Sequence, residues 1–249
     1  MDIEVSETAG VRYLHFGSDW IQGAMRIARP WALELDYTRE MMAGLILREQ
    51  PTWPRNALLV GLGAGSLTKF LYRHRPQCRL LVVEIAPQVV AVAQQHFRLP
   101  GEDARLHIEI ADGAQYMMRK SPRFDLILVD GFDADALAGD LDTLSFYLNC
   151  RQRLSSQGLL VTNLLSRRRN FRDSVARIKT AFDDRAIAFP SCDSGNAIAV
   201  AATGATIDRT LAELEEAAAT LKTTTGLKLA PTLSRLAASG VFRGARLQL

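Results

Sequence analysis

The chain has 249 residues, 48% of them hydrophobic, and a formal net charge of +3 at pH 7. That length suits one α/β domain with appendages, and the apolar content is enough for a sizeable core. The charge balance is too mild to announce a nucleic-acid binder, and no apolar run reaches the roughly 18 residues of a membrane helix. Cys78, Cys150 and Cys192 are far apart and odd in number. They show no metal-ligand or redox spacing, and the polar first ten residues do not read as a signal peptide. Reduced thiols in a soluble cytoplasmic protein, without metal, are expected. His15, His74, His96 and His107 likewise show no metal or catalytic pairing.

Short alternating segments at 3–5, 11–16 and 20–25, with turns at Ala9-Gly10 and Gly17-Ser18, predict a small β-ribbon. Its exposed edges offer a surface for homodimerisation. Residues 33–48 carry Leu33, Tyr37, Met41, Gly44 and Leu45 at helical spacing and predict one lead-in helix, broken by Pro51 and Pro54. Strands and helices then alternate. Strands are predicted at 57–61, 79–84, 106–111, 124–130, 158–164, 185–189 and 196–201. Helices are predicted at 66–75, 87–97, 113–120, 141–154 and 171–182. Several of the strands are unbroken apolar runs, as in a sheet covered on both faces. Residues 207–249 predict a helix followed by a helical or irregular segment.

The stretch ALLVGLGAGSLTKFL, followed by LLVVEIAP, carries the clearest chemistry. It reads as strand, glycine-rich turn, helix and second strand, with Glu84 about 20 residues after the turn, the spacing of a nucleoside-binding unit. Gly61, Gly63 and Gly65 spell GxGxG, whereas dinucleotide binders place the third glycine one residue later. The pattern points to a single adenosine-bearing ligand such as S-adenosylmethionine. Glu84, Asp112 and Asp130 end successive predicted strands and should converge on one cleft. Each has a plainer alternative: Asp112 as a helix cap, Glu84 as an exposed strand-end residue.

GLGAGS, VVEIAP, IADGAQYM and LILVDGFD occur in the order of the motifs of spermidine synthases and the wider polyamine aminopropyltransferase group, which the chain resembles. LDTLSFY, WIQGAM and LDYTREMM are similar to further segments of that group, so the likeness runs from about residue 11 to 202. The resemblance implies a Rossmann-like, seven-stranded class I methyltransferase fold with a small N-terminal β-extension. It divides the chain into a ribbon and lead-in helix (1–50), a nucleoside-binding catalytic domain (51–205) and a C-terminal helical extension (206–249). It implies that Glu84 holds the ribose hydroxyls, that Asp112 and Gly113 meet the adenine, and that Gln22, Gly61, Gly63, Gly65 and Ile85 also border the donor. It also implies that Asp130 and Asp133 act on an amine or polyamine acceptor, with Tyr37 and Tyr147 beside it. The implied co-substrate is decarboxylated S-adenosylmethionine or S-adenosylmethionine itself.

The bottom-up chemistry agrees, because an amine attacking carbon next to a sulfonium must arrive neutral and in line, with a carboxylate to take its proton. Asp133, Asp135, Asp140 and Asp142 add acidity to the loop after Asp130, with a solvated acidic loop as the plainer reading. Two positions depart from the group. Ala64 stands where its glycine loop carries an aspartate, and Asp130-Gly131-Phe132-Asp133-Ala134 replaces D-S/T-S/T-D-P. Ala64 favours a rival, a methyltransferase using intact S-adenosylmethionine; a third reading is a nucleoside-binding homologue without catalysis. Arg167, Arg168, Arg169 and Arg172 either grip an anionic group or begin a solvated helix. Ser66 either caps a helix or touches ligand, and Trp20 and Trp31 are expected to pack the ribbon, with lining of the acceptor pocket as the alternative.

Overall fold

The computed structural model describes residues 2–17, 20–48, 50–119, 122–132, 137–192 and 195–249. An antiparallel ribbon comes first, β1 (Glu4–Thr8), β2 (Val11–His15) and β3 (Ile21–Arg26). The lead-in segment is two short turns rather than one helix: α1 (Asp36–Met41) and α2 (Gly44–Leu47). The reason is burial on every side. Met41, Met42, Ala43, Leu45, Ile46 and Leu47 are all buried, so no polar face exists to define a single amphipathic helix. Gly44 sets its backbone against the sheet, where an added Cβ would lie 3.4 Å from Leu159 Cδ1.

The central unit runs β4 (Asn56–Val60), α3 (Ser66–His74), β5 (Arg79–Glu84), α4 (Pro87–His96), β6 (Leu106–Ile110), α5 (Gly113–Met118) and β7 (Phe124–Val129). It continues through α6 (Leu144–Arg153), β8 (Leu154–Leu165), α7 (Phe171–Ala181), β9 (Ala186–Ala188) and β10 (Asn196–Ala202). These seven strands form one sheet in the order β6-β5-β4-β7-β8-β10-β9. Only β10 runs against the rest, being antiparallel to both β8 and β9. This is the expected seven-stranded class I methyltransferase architecture, with the predicted strand boundaries met within a few residues.

Alternation along β4 shows how the sheet divides its core. Ala57 and Leu59 join a cluster with α3, α4 and the lead-in turns, while Leu58 and Val60 join Tyr116, Phe146 and Ile178 on the other face. Both faces are therefore covered, which is why the strands read as unbroken apolar runs. Buried Lys69 on α3 ties the two neighbouring helices together by donating to the Phe97 carbonyl at the end of α4, at 2.7 Å. Burial lowers its pKa to about 7.

The tail adds β11 (Asp208–Thr210), α8 (Leu211–Thr225), α9 (Ala230–Ala238) and β12 (Arg246–Gln248), with β11 and β12 paired antiparallel. A capping box between Thr210 and Glu213 starts α8, and Gly226 ends it in the left-handed region. Leu214, Leu221, Leu233 and Leu236 enter the same apolar cluster as Met41 and Leu45. Among the described residues no helix is long and apolar enough to cross a membrane.

Candidate active site

Strand β4 has β5 on one side and β7 on the other, so the chain order reverses there and a crevice opens beyond the strand ends. It is a cleft of about 1350 Å³. Its floor is the glycine turn. Gly61 has φ 95°, and a Cβ there would lie 2.1 Å from the carbonyl oxygen of Asp130. Only glycine lets the ends of β4 and β7 come this close. Gly65, at φ 66°, then launches α3.

The ribbon forms a wall over this turn. A Cβ on Gly23 would stand 2.6 Å from Ala64 Cβ, and the Ser66 hydroxyl donates to the Ala24 carbonyl at 3.2 Å. Half-buried Gln22 lines the cleft, its backbone oxygen 3.4 Å from where a Cβ on Gly63 would sit. Ala64 is buried under Gly23, so the small residue that departs from the family pattern is matched by a small residue opposite.

Glu84 is buried at the end of β5, its two oxygens accepting from the Leu62 and Ala86 amides, both at 2.9 Å. Burial raises its pKa, against the pull of those amides. The carboxylate thus braces the glycine turn while facing the cleft. Next to it Ile85 is 63% exposed and contributes an apolar wall. Asp112 caps α5 by accepting from the Gln115 amide at 2.8 Å, and it lines the cleft beside Gly113.

At the other end Asp130 is held by two donors. Asn163 Nδ2 reaches Oδ1 at 2.9 Å, and the Tyr37 hydroxyl reaches Oδ2 at 3.2 Å. Burial raises the pKa of Asp130, opposed by those two hydrogen bonds. Tyr37 rises well above the phenol range through burial and the neighbouring carboxylate charge, so it stays protonated and donates. The result is a carboxylate with a raised pKa, fixed in orientation from both sides.

Some predicted positions land elsewhere. Tyr147 is fully buried and does not line the cleft; its hydroxyl donates to Asp142 Oδ1 at 2.9 Å. Asp142 also accepts from Ser174 and Arg177, each at 2.6 Å, and so anchors the turn whose Gly139, Asp140 and Leu141 form the rim. Tyr147 corrects from a substrate contact to a support of that rim, because its position on α6 faces the core. Asp133 and Asp135 lie outside the described residues. Trp20, expected to pack the ribbon, is 59% exposed and lines the cleft mouth. Trp31 instead lies beneath Arg73, whose guanidinium carbon is 5.4 Å from the ring centre. Of the arginine run, Arg167 and Arg168 border the cleft, and Arg169 and Arg172 do not. Asn163 escaped the sequence reading. Its signal was a buried amide interrupting the apolar run of β8 beside the strand that carries Asp130.

Comparison with known proteins adds four findings. The family model for the spermine/spermidine synthase domain matches residues 35–188. The chain is 33% identical over 248 residues to a polyamine aminopropyltransferase of Neisseria meningitidis, covering 100% of this chain and 94% of that one. Among solved structures, a probable spermidine synthase from Corynebacterium glutamicum superposes with a TM-score of 0.71 at 17% identity, covering 91% of each chain. Human methyltransferase-like protein 13 in complex with SAH gives a TM-score of 0.69 at 27% identity, over 77% of this chain and 93% of that one. The fold is therefore common to proteins whose names divide between two kinds of transfer.

Proposed function

Since the chain belongs to the spermine/spermidine synthase domain family, we propose that it is an aminopropyltransferase moving a three-carbon amine from decarboxylated S-adenosylmethionine to an amine acceptor. The observation that carries the reading is Asp130, a half-buried carboxylate with raised pKa held by Tyr37 and Asn163 at the end of the same cleft as Glu84. In this reading Glu84 takes the ribose hydroxyls, Asp112 and Gly113 flank the adenine with Ile85 against its face, and Gly61, Gly63, Gly65 and Gln22 border the sulfonium arm. Ionised Asp130 first anchors the acceptor ammonium and then receives its proton, with Asp133 assisting. The neutral nitrogen forms its bond to the carbon beside sulfur as the carbon–sulfur bond breaks. The electron pair leaves with sulfur, giving an uncharged thioether, methylthioadenosine. Asn163 keeps Asp130 turned toward the nitrogen, and Tyr37 donates to it without competing for the proton.

A second reading, methyl transfer from intact S-adenosylmethionine, is favoured by Ala64. A bare ammonium on the donor would find no carboxylate at that position, and an unpaired buried cation is costly. Calorimetric titration with S-adenosylmethionine, its decarboxylated form and methylthioadenosine decides between them. Tighter binding of the decarboxylated donor is expected. Preference for the intact compound would move the protein to methyl transfer, and binding of none would end both readings.

A further inference from the structure

We propose that α9, in the tail beyond the family match, is a positioning element for the acceptor end of the cleft, working through Glu40 on Tyr37; the inference rests on the reading of Asp130 as the acceptor's partner. α1 is too short to order itself and depends on its packing: Tyr37, Thr38 and Met41 are buried, and Arg39 donates to the Leu33 and Glu34 carbonyls, both at 2.7 Å. It spans six residues, Asp36–Met41, and its N-cap residue Leu35 makes no side-chain cap. A helix this short does not persist on its own intrinsic stability. Yet it must present Tyr37 to Asp130 within hydrogen-bond distance, at 3.2 Å.

Glu40, one turn after Tyr37, is only 2% exposed and forms an ion pair with Arg235 on α9. The Thr232 hydroxyl, also on α9 and also buried, donates to the same Glu40 oxygen at 3.4 Å. Arg235 and Thr232 both act on Oε1 of Glu40, so α9 supplies the partners of that buried carboxylate oxygen. Residues i and i+3 share a helix face, and a shift of Glu40 therefore carries Tyr37 with it. The line of contact runs from Arg235 and Thr232 through Glu40 and the one-turn backbone of α1 to Tyr37 and then Asp130. Residues 35–188 carry the family match, so a tail segment outside it acts on a residue inside it.

The test uses the full chain with Arg235→Ala, Arg235→Lys and the reference variants Tyr37→Phe and Asp130→Asn. Kinetics are read with decarboxylated S-adenosylmethionine and putrescine. The Tyr37 environment is read by NMR of ring-carbon-labelled tyrosine, the resonance being assigned by its loss in Tyr37→Phe. Expected for Arg235→Ala is a putrescine KM raised roughly three- to tenfold with the donor KM almost unmoved. The Tyr37 resonance should shift toward its position in Asp130→Asn, and Arg235→Lys should recover both readouts. A lowered melting temperature with the Tyr37 resonance and putrescine KM unchanged would make the pair merely structural and overturn the inference. If Arg235→Ala does not fold, Arg235→Gln carries the same two readouts. Should the wild-type protein transfer no aminopropyl group while the Tyr37 resonance still responds to Arg235, the functional reading fails and the positioning role stands.

Discussion

Two opposing influences act on Asp130: partial withdrawal from water, which favours its protonated form, and two hydrogen-bond donors, which favour the ionised one. Burial outweighs the donors, so the net pKa lies above the usual aspartate value. A base of that kind is active when ionised, so kcat/KM should fall as pH drops through a pKa higher than that of an exposed aspartate. Tyr37→Phe removes one of the stabilising donors and should move this acid limb to still higher pH. Asp130→Asn should abolish the limb and reduce turnover by about 10²- to 10⁴-fold, the usual contribution of a positioned base. Stability should move the other way. A carboxyl whose folded pKa exceeds its unfolded one binds more protons when folded, so its contribution declines as pH rises through that window. At neutral pH, above the window, the amide variant should therefore melt no lower than wild type. Pairing pH-rate profiles with thermal melts checks both halves, and a large drop in melting temperature would mean that Asp130 serves structure instead.

Among elements, the contact between β3 and the glycine turn most directly shapes the donor end. Gly23 and Ala64 are small on both sides, and an added methyl on Gly23 would face Ala64 Cβ at 2.6 Å and its amide nitrogen at 3.0 Å. Neither neighbour is a flexible side-chain end, so the ribbon must lift away from the turn. Overpacking of this kind costs about 1–3 kcal/mol, and Gly23→Ala should weaken donor binding by roughly tenfold in calorimetry while the sheet stays folded. Undiminished affinity would show that β3 does not seat the donor. This contact was half legible in the sequence. GLGAGS announced the turn, and Glu84, Asp112 and Asp130 at successive strand ends announced the cleft, because parallel topology brings such ends together. What packs upon Ala64 was not legible, since no local period relates a ribbon residue to a loop forty positions later. The break between α1 and α2 was hidden for a different reason: a segment buried all round has apolar residues at every spacing, helical ones included. Tyr147 looked like an acceptor contact because its motif resembles one, but its face of α6 turns toward Asp142 and the core.

At the scale of the molecule, the cleft is not the property of the sheet alone. Gln22 comes from the ribbon, Tyr37 from the lead-in turn, Glu84 and Asp130 from strand ends, and Arg235 reaches α1 from the tail. A donor that spans Gln22, the glycine turn and Glu84 would bridge three elements that come together only in the native fold. It should therefore stabilise the whole fold and not only order a loop. Binding to the native state alone at about 100 times Kd adds ~2.7 kcal/mol. For a chain of this size that corresponds to a melting-temperature rise of roughly 5–10 °C. Glu84→Gln replaces the carboxylate with a group that has one acceptor oxygen, already wanted by the Leu62 and Ala86 amides. Most of the donor-induced rise should then vanish. Asp130→Asn, altered at the acceptor end, should keep it. If both variants lose the rise equally, the two ends of the cleft are not separate sites, and the division of labour between Glu84 and Asp130 would have to be redrawn.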